Sequence, residues 1–127
     1  MSGKEYLTQL ERLQELIEAE ETDLKNYAEL ESDFAFPARG KKLYQRMIED
    51  QRKTIQSQKD FYPTLEDMIS SKIQELRLPK EKKVLTMKYI AGEDWPSIFG
   101  SVEGSEDSIF AIHKRGLKHL EKLIDNI

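Results

Sequence analysis

The sequence contains no cysteine, which excludes a disulfide framework, thiolate nucleophiles and cysteine-based zinc sites. Its only histidines are His113 and His119. Six residues apart on one expected helix, they point to different faces and do not form the i, i+4 pair of a zinc protease. Glycine is sparse, and Gly92, Gly100, Gly104 and Gly116 are too scattered to build a phosphate-cradling loop. No apolar run approaches the ~20 residues of a membrane-spanning helix, and the first residues are polar. Internal repeats and low-complexity tracts are absent too. The acids fall at solvated helical positions, so nothing assembles a catalytic group. The expectation is a cytoplasmic protein without a membrane partner that is not an enzyme and uses no metal or cofactor.

What is present is charge and helical periodicity. The chain has 127 residues, 35% of them charged and 38% hydrophobic, which fits one or two small helix-rich domains with a modest core. Its net charge of −4 is unevenly spread. Residues 1–31 carry nine acids (Glu5, Glu11, Glu15, Glu18, Glu20, Glu21, Asp23, Glu29, Glu31) against three bases (Lys4, Arg12, Lys25). Residues 78–127 are balanced, yet from Ser108 to Ile124 the bases Lys114, Arg115, Lys118 and Lys122 face only Glu121. A basic last helix therefore survives within an acidic chain, and local patches of this kind set surface potential.

Toward the N-terminus, Leu10, Ile17 and Leu24 recur every seven residues, interleaved with Tyr6, Leu13, Glu20 and Tyr27. This is a heptad seam and predicts a helix from about Lys4 to Leu30, with Leu7, Leu16 and Leu30 widening its apolar face. The stretch DFAFPARG breaks the pattern with Pro37 and Gly40, a loop whose Phe34 and Phe36 are expected to plug a core. Periodicity resumes at Leu43 and runs through Tyr44, Ile48, Gln51, Ile55, Gln58, Tyr62, Leu65, Ile69 and Leu76. Pro63 lies inside this run. An interior proline costs about 3 kcal/mol or more, so a kink or break is expected between Asp60 and Thr64, with Thr64 capping a new helix. Lys4–Leu30 against Lys41–Asp60 makes a coiled-coil-like hairpin whose spare apolar length suits a homodimer.

The last third reads as three helices. Pro79 fits a first helical turn, and Val84, Leu85, Met87 and Tyr89 follow at helical spacing as far as Ile90, where Gly92 ends the segment. Trp95, Ile98, Phe99 and Val102 mark a short amphipathic helix, with Trp95 and Tyr89 expected in the core. Gly104 then frees the backbone, Ser105 is placed to cap, and Ile109, Ile112, Leu117, Leu120 and Ile124 carry a longer third helix. Three helices with a tight turn between the last two form a helix-turn-helix pattern. The fold class is thus all-α: a helical hairpin over residues 1–77 and a helix-turn-helix head over residues 78–127, with Val84, Leu85, Ile98, Val102, Ile109, Ile112, Leu117 and Leu120 inside.

In a helix-turn-helix the first residues of the second helix reach base edges, while later bases grip phosphate. Ser105, Glu106, Asp107 and Ser108 are accordingly candidates for the major groove, the acids accepting from cytosine N4. His113, Lys114, Arg115 and Lys118 are candidates for the backbone. For Ser105 to Ser108 a second role stays open, that of N-terminal capping with acids placed favourably at a helix start.

The spacing of Leu78, Pro79, Val84, Leu85, Met87, Tyr89, Gly92, Ile98, Ser105, Ile109, Arg115, Gly116 and Leu117 resembles region four of bacterial sigma factors. The helix-turn-helix of that region reads a promoter element. From KEYL near its start through WPSI and IHKRGLKHL, the chain also resembles short prophage proteins of the sigma-like, ArpU and RinA kind, regarded as late-gene transcription regulators. The detailed likeness covers the last third, and the first two thirds agree in general character. The resemblance implies a phage-derived regulator whose partners are double-stranded DNA and RNA polymerase. Two alternatives accompany it: a module that has lost DNA contact and binds host RNA polymerase or another nucleic-acid enzyme, and a small-terminase-like packaging protein, although in those the DNA-binding module usually comes first.

Overall fold

A computed structural model describes residues 1–33 and 38–125 of the chain, and among these residues there are helices and no strand. The all-α class therefore holds. The helices are α1 (Gly3–Leu7), α2 (Gln9–Asp33), α3 (Ala38–Gln74), α4 (Pro79–Leu85), α5 (Trp95–Ser101) and α6 (Glu106–Asp125), with a π-helical turn over Thr86–Ile90 following α4. No described helix is long and apolar enough to cross a membrane. Of the loop expected to punctuate the chain and plug a core, Phe34, Phe36 and Pro37 lie outside the described residues, while Gly40 is not in a loop but in the first turn of α3.

Contacts divide the chain into two compact units, one of residues Arg12–Pro63 and one of Met1–Glu11 with Thr64–Ile127. In the first, α2 and α3 run antiparallel. The Tyr44 hydroxyl donates to the Tyr27 carbonyl at 2.7 Å, and the two rings meet edge-on with centroids 6.3 Å apart. Lys59 and Glu21 form an ion pair of 2.7 Å further along. Between the helices Ile17, Ile48 and Ile55 are buried, and Leu13, Leu24 and Tyr62 are half-buried. These are the residues of the heptad seams. The two helices carry opposite charge. Between Arg12 and Leu30, α2 has six acids (Glu15, Glu18, Glu20, Glu21, Asp23, Glu29) and two bases (Arg12, Lys25), a net of −4. Between Gly40 and Pro63, α3 has six bases (Lys41, Lys42, Arg46, Arg52, Lys53, Lys59) and three acids (Glu49, Asp50, Asp60), a net of +3.

Two expectations about helix ends change. The helix expected to begin at Lys4 is interrupted at Thr8, whose hydroxyl donates to the Lys4 carbonyl at 2.9 Å. A threonine side chain competes with the helical ladder in this way. The short α1 so released is capped by Ser2, which accepts from the Glu5 N–H at 3.1 Å, and lies against α6. There Gly3 is packed so closely that a Cβ would collide with the Leu117 carbonyl oxygen. Conversely, α3 does not break at Pro63 but continues to Gln74. Burial on both sides of the proline, by Ile48 and Ile55 before it and Leu65, Ile69 and Ile73 after it, outweighs the lost hydrogen bond. No new helix starts at Thr64, and Pro63 instead marks where one compact unit ends.

In the second unit Leu7, Leu10, Leu65, Ile69, Ile73 and Leu76 are buried together with the residues of the last third. Leu78, with extended dihedrals, precedes Pro79 at the first position of α4. The segment expected as one helix to Ile90 widens at its end: the Ala91 N–H donates to the Thr86 carbonyl, five residues back, at 2.9 Å. Such a turn rotates the residues after it relative to an α-helix. Gly92 then takes φ 67°, open to glycine without steric cost, and reverses the chain. Asp94 caps α5 by accepting from the Ser97 N–H at 3.0 Å, and hydrogen bonds from Ser97 hold the Asp94 carboxyl below its ordinary range. Val84, Ile98, Val102, Ile109 and Ile112 form the core beneath α4, α5 and α6, with Met87, Trp95 and Phe99 packed against it. Of the eight residues expected inside, seven are buried and Leu117 is half-buried.

Candidate nucleic-acid interface

Helix α6 owes its placement to one line of residues. Ile109, Ile112, Gly116 and Leu120, at steps of three and four, are buried. At Gly116 a Cβ would stand 3.3 Å from Leu85 Cδ1 and 3.4 Å from Glu81 Cβ, so the absent side chain is what lets α4 approach α6. Beside it Glu81 is 1% exposed, and its Oε1 accepts from His119 Nδ1 at 2.6 Å. This contact compensates the burial of one carboxylate oxygen, while Oε2 is buried without a hydrogen-bond partner among the described residues. Lys83 donates to the Ser101 carbonyl at 2.7 Å, tying α4 to the last turn of α5. Together these contacts leave α6 little freedom to rotate about its axis.

The orientation so imposed decides which residues face outward. Asp107, Ala111, Lys114, Lys118 and Lys122 recur at steps of three and four opposite the buried line, and all are exposed. Arg115, also exposed, flanks them. Among the described residues no carboxylate forms an ion pair with Lys114, Arg115, Lys118 or Lys122. At the helix start, Gly104 takes φ 126°, and Ser105 accepts from the Ser108 N–H at 3.1 Å. Its hydroxyl is thus engaged in capping. Glu106 and Asp107 occupy the first turn, where acid is favoured, and with Ser108 they are exposed.

The structure brings Lys114, Arg115 and Lys118 together on one side and Ser105, Glu106, Asp107 and Ser108 at one end of the same helix. It turns His113 elsewhere. The His113 ring stacks on Tyr89 with centroids 5.7 Å apart and meets Trp95 edge-on at 4.9 Å, and its Nε2 lies 2.8 Å from the Tyr89 hydroxyl. Burial, with the charges of Lys88 and Lys4, holds the His113 pKa below its ordinary value. Burial, with the charge of Glu11, raises that of Tyr89. The pair is a neutral hydrogen-bonded contact within an aromatic group.

That group contains the residue that pattern reading missed. Phe110, 42% exposed, sits one position off the apolar line and packs on Trp95 at 4.8 Å and on Phe99 at 5.3 Å. Lys88 lies over the Trp95 ring, 5.3 Å from its centroid. An aromatic residue adjacent to the buried line, on a helix whose outer side is otherwise polar, was the available signal. Among the described residues no group of three or more histidine, aspartate or glutamate side chains is placed to hold a metal ion.

A pH dependence follows from His113. In the unfolded chain its pKa is about 6.5, and in the folded chain it is lower, so acidification protonates the unfolded state first. The stability associated with the neutral ring is full above about pH 6.5 and is lost as pH falls through the folded pKa. His113→Gln, which cannot titrate, is expected to lose less stability than wild type between pH 7 and pH 5. Urea midpoints at a series of pH values measure this, and parallel profiles would refute it.

Compared with known proteins, the chain matches no family model, no curated protein and no solved structure.

Proposed function

We propose that the chain is a phage-derived DNA-binding transcription regulator in which α5 and α6 act as a helix-turn-helix of the sigma region-four kind. The helical hairpin of α2 and α3 serves as its arm. The observation that carries this reading is the outward row of Lys114, Lys118 and Lys122, flanked by Arg115, on a helix locked by its other side and free of ion pairs there among the described residues. A helix of 20 residues is about 30 Å long, ample for a major groove about 12 Å wide. In this reading the bases contact phosphates, Asp107 and Ser108 meet base edges, and RNA polymerase is the protein partner. No catalytic step is assigned to any residue.

A second reading, a protein-binding module, is favoured by one specific feature. Glu106, Asp107 and the half-exposed Phe110 share the first turns of α6, a mixture of acid and aromatic surface that repels phosphate and suits a protein. Titration of the full chain with a fluorescent mixed-sequence duplex separates the two. The DNA reading expects binding at low salt that weakens linearly in log–log form as salt rises. No binding at the lowest salt would leave the protein-partner reading in its place.

A further inference from the structure

The link between α3 and α4 and the C-terminal part of α6 enclose a groove of about 430 Å³. One wall is shaped by the end of α3 and by a proline. After Gln74 the Glu75 and Leu76 N–H groups donate to the Lys72 and Ile73 carbonyls at 3.1 and 3.0 Å. Pro79 then confines Leu78 to extended dihedrals, φ −94° and ψ 120°. Leu78 is left 48% exposed beside Leu76, which is buried. The other wall is α6, where His119, Lys122 and Leu123 fall at steps of three and four on one side of the helix. Leu76, Leu78 and Leu123 supply the apolar surface of the groove, and the exposed Arg77 and Lys122 supply its charge. Neither base forms an ion pair among the described residues. Glu75, the carboxylate of the lining, is already paired with Lys72 at 2.9 Å. His119 has its Nδ1 committed to Glu81, which does not line the groove, and its Nε2 has no hydrogen-bond partner among the described residues.

We infer that this groove binds a small amphiphile with an unbranched apolar body and a single carboxylate, the chemistry of a medium-chain fatty acid. Size selects a small molecule. The volume lies within the roughly 300–1,000 Å³ of small-ligand sites, whereas three leucines fall far short of the about 800 Å² that each partner brings to a stable protein interface. Composition selects the chemistry. An apolar body laid along Leu76, Leu78 and Leu123 removes the exposed side of Leu78 from water. Its carboxylate then meets Arg77, whose guanidinium can donate two parallel N–H groups to it, and Lys122. A cationic head would be repelled by the same two bases, and an ion without an apolar body would leave the leucines wet. The inference does not depend on α6 meeting DNA.

Titration of the full chain with sodium decanoate, at constant pH and below the concentration at which it forms micelles, tests this. The chain has only two histidines, so their ring-proton NMR signals report the place of binding. The His119 signals should move to a saturable limit, and those of His113, engaged with Tyr89 and Trp95, should stay where they are. Leu78→Asp changes an exposed residue, so it should keep the helical circular dichroism and abolish the shift. Arg77→Gln combined with Lys122→Gln should weaken decanoate about tenfold, as expected for lost hydrogen bonds to a charged group. Decyltrimethylammonium, with the same body and the opposite charge, should not bind. Absence of a saturable shift at His119 overturns the proposal. So does decanoate binding of wild-type strength in either variant, or binding of the alkylammonium as strong as that of decanoate.

Discussion

Leu85→Ala is expected to destabilise the unit around α6 by about 2–5 kcal/mol, toward the upper end of that range. Leu85 is 0% exposed, and the surface it meets on α6 is Gly116, whose added Cβ would lie 3.3 Å from Leu85 Cδ1. A glycine has no side chain to swing into vacated space, so the cavity left by three lost carbons cannot collapse locally. Domains of this size hold only about 5–15 kcal/mol in total, and the substitution removes a large share of it. Trp95 is the only tryptophan and belongs to the same compact unit, so its fluorescence in urea follows this unit alone, without assuming that both units unfold together. Gly116→Ala added to Leu85→Ala supplies a methyl group to the cavity and removes a helical glycine, which by itself is worth about 0.5–1 kcal/mol. The double variant should therefore recover part of the loss. A loss under about 1 kcal/mol for Leu85→Ala would show that α4 and α6 are not held by this contact.

The features legible in the sequence were those written within one or two helical turns. Ile109, Ile112 and Leu120 announce the buried side of α6 by spacing alone, Pro79 opens α4, and Ser105 caps α6 where a small hydroxyl side chain precedes the apolar line. Features that depend on distant parts of the chain left no local trace. Gly3 is required to be small because of Leu117, 114 positions away, and nothing near Gly3 records this. The cost of Pro63 is local and favours a break, whereas the burial of Ile55 and Leu65 on either side decides that α3 continues. The π-helical turn at Thr86–Ile90 is invisible to a pattern that counts in steps of 3.6.

The candidate site divides along the same line. Lys114, Arg115 and Lys118 could be placed on the outer side of a helix once its buried side was known. His113, four residues after Ile109, falls beside the buried side by the same spacing, and what the sequence does not record is that Tyr89 and Trp95 meet it there from the π-helical turn and from α5. Glu81 likewise lies in a run of lysines that reads as a solvated surface, yet it is buried against His119 and beside Gly116. The charges that remain outside are a subset of those counted along the chain. Lys83 and Lys88 are engaged with Ser101 and Trp95, while Lys114, Arg115, Lys118 and Lys122 are free of ion pairs among the described residues.

If α6 meets DNA as proposed, replacing Lys114, Arg115 and Lys118 together by alanine is expected to remove most of the affinity for duplex DNA at low salt, equally for every sequence. All three side chains are exposed, and alanine is a good helix former, so the fold and the Trp95 signal should be unchanged. Each phosphate contact releases counterions, and the log–log salt slope should fall by about 0.9 for each one lost, or about 2.7 for three. Between about 50 and 200 mM salt, wild-type affinity should then drop roughly 40-fold more than that of the variant. Asp107→Ala and Ser108→Ala should behave differently. At the start of α6 they would face base edges, where a correct contact is worth about 1–3 kcal/mol of discrimination, so they should alter which duplexes are preferred and leave the slope nearly unchanged. The contrast between the two sets is the test of groove placement. If all five substitutions weakened binding with the same salt dependence, the outer side of α6 would be acting as a diffuse cation without register on the duplex. If the triple variant bound as well as wild type, the DNA contact would lie elsewhere on the chain.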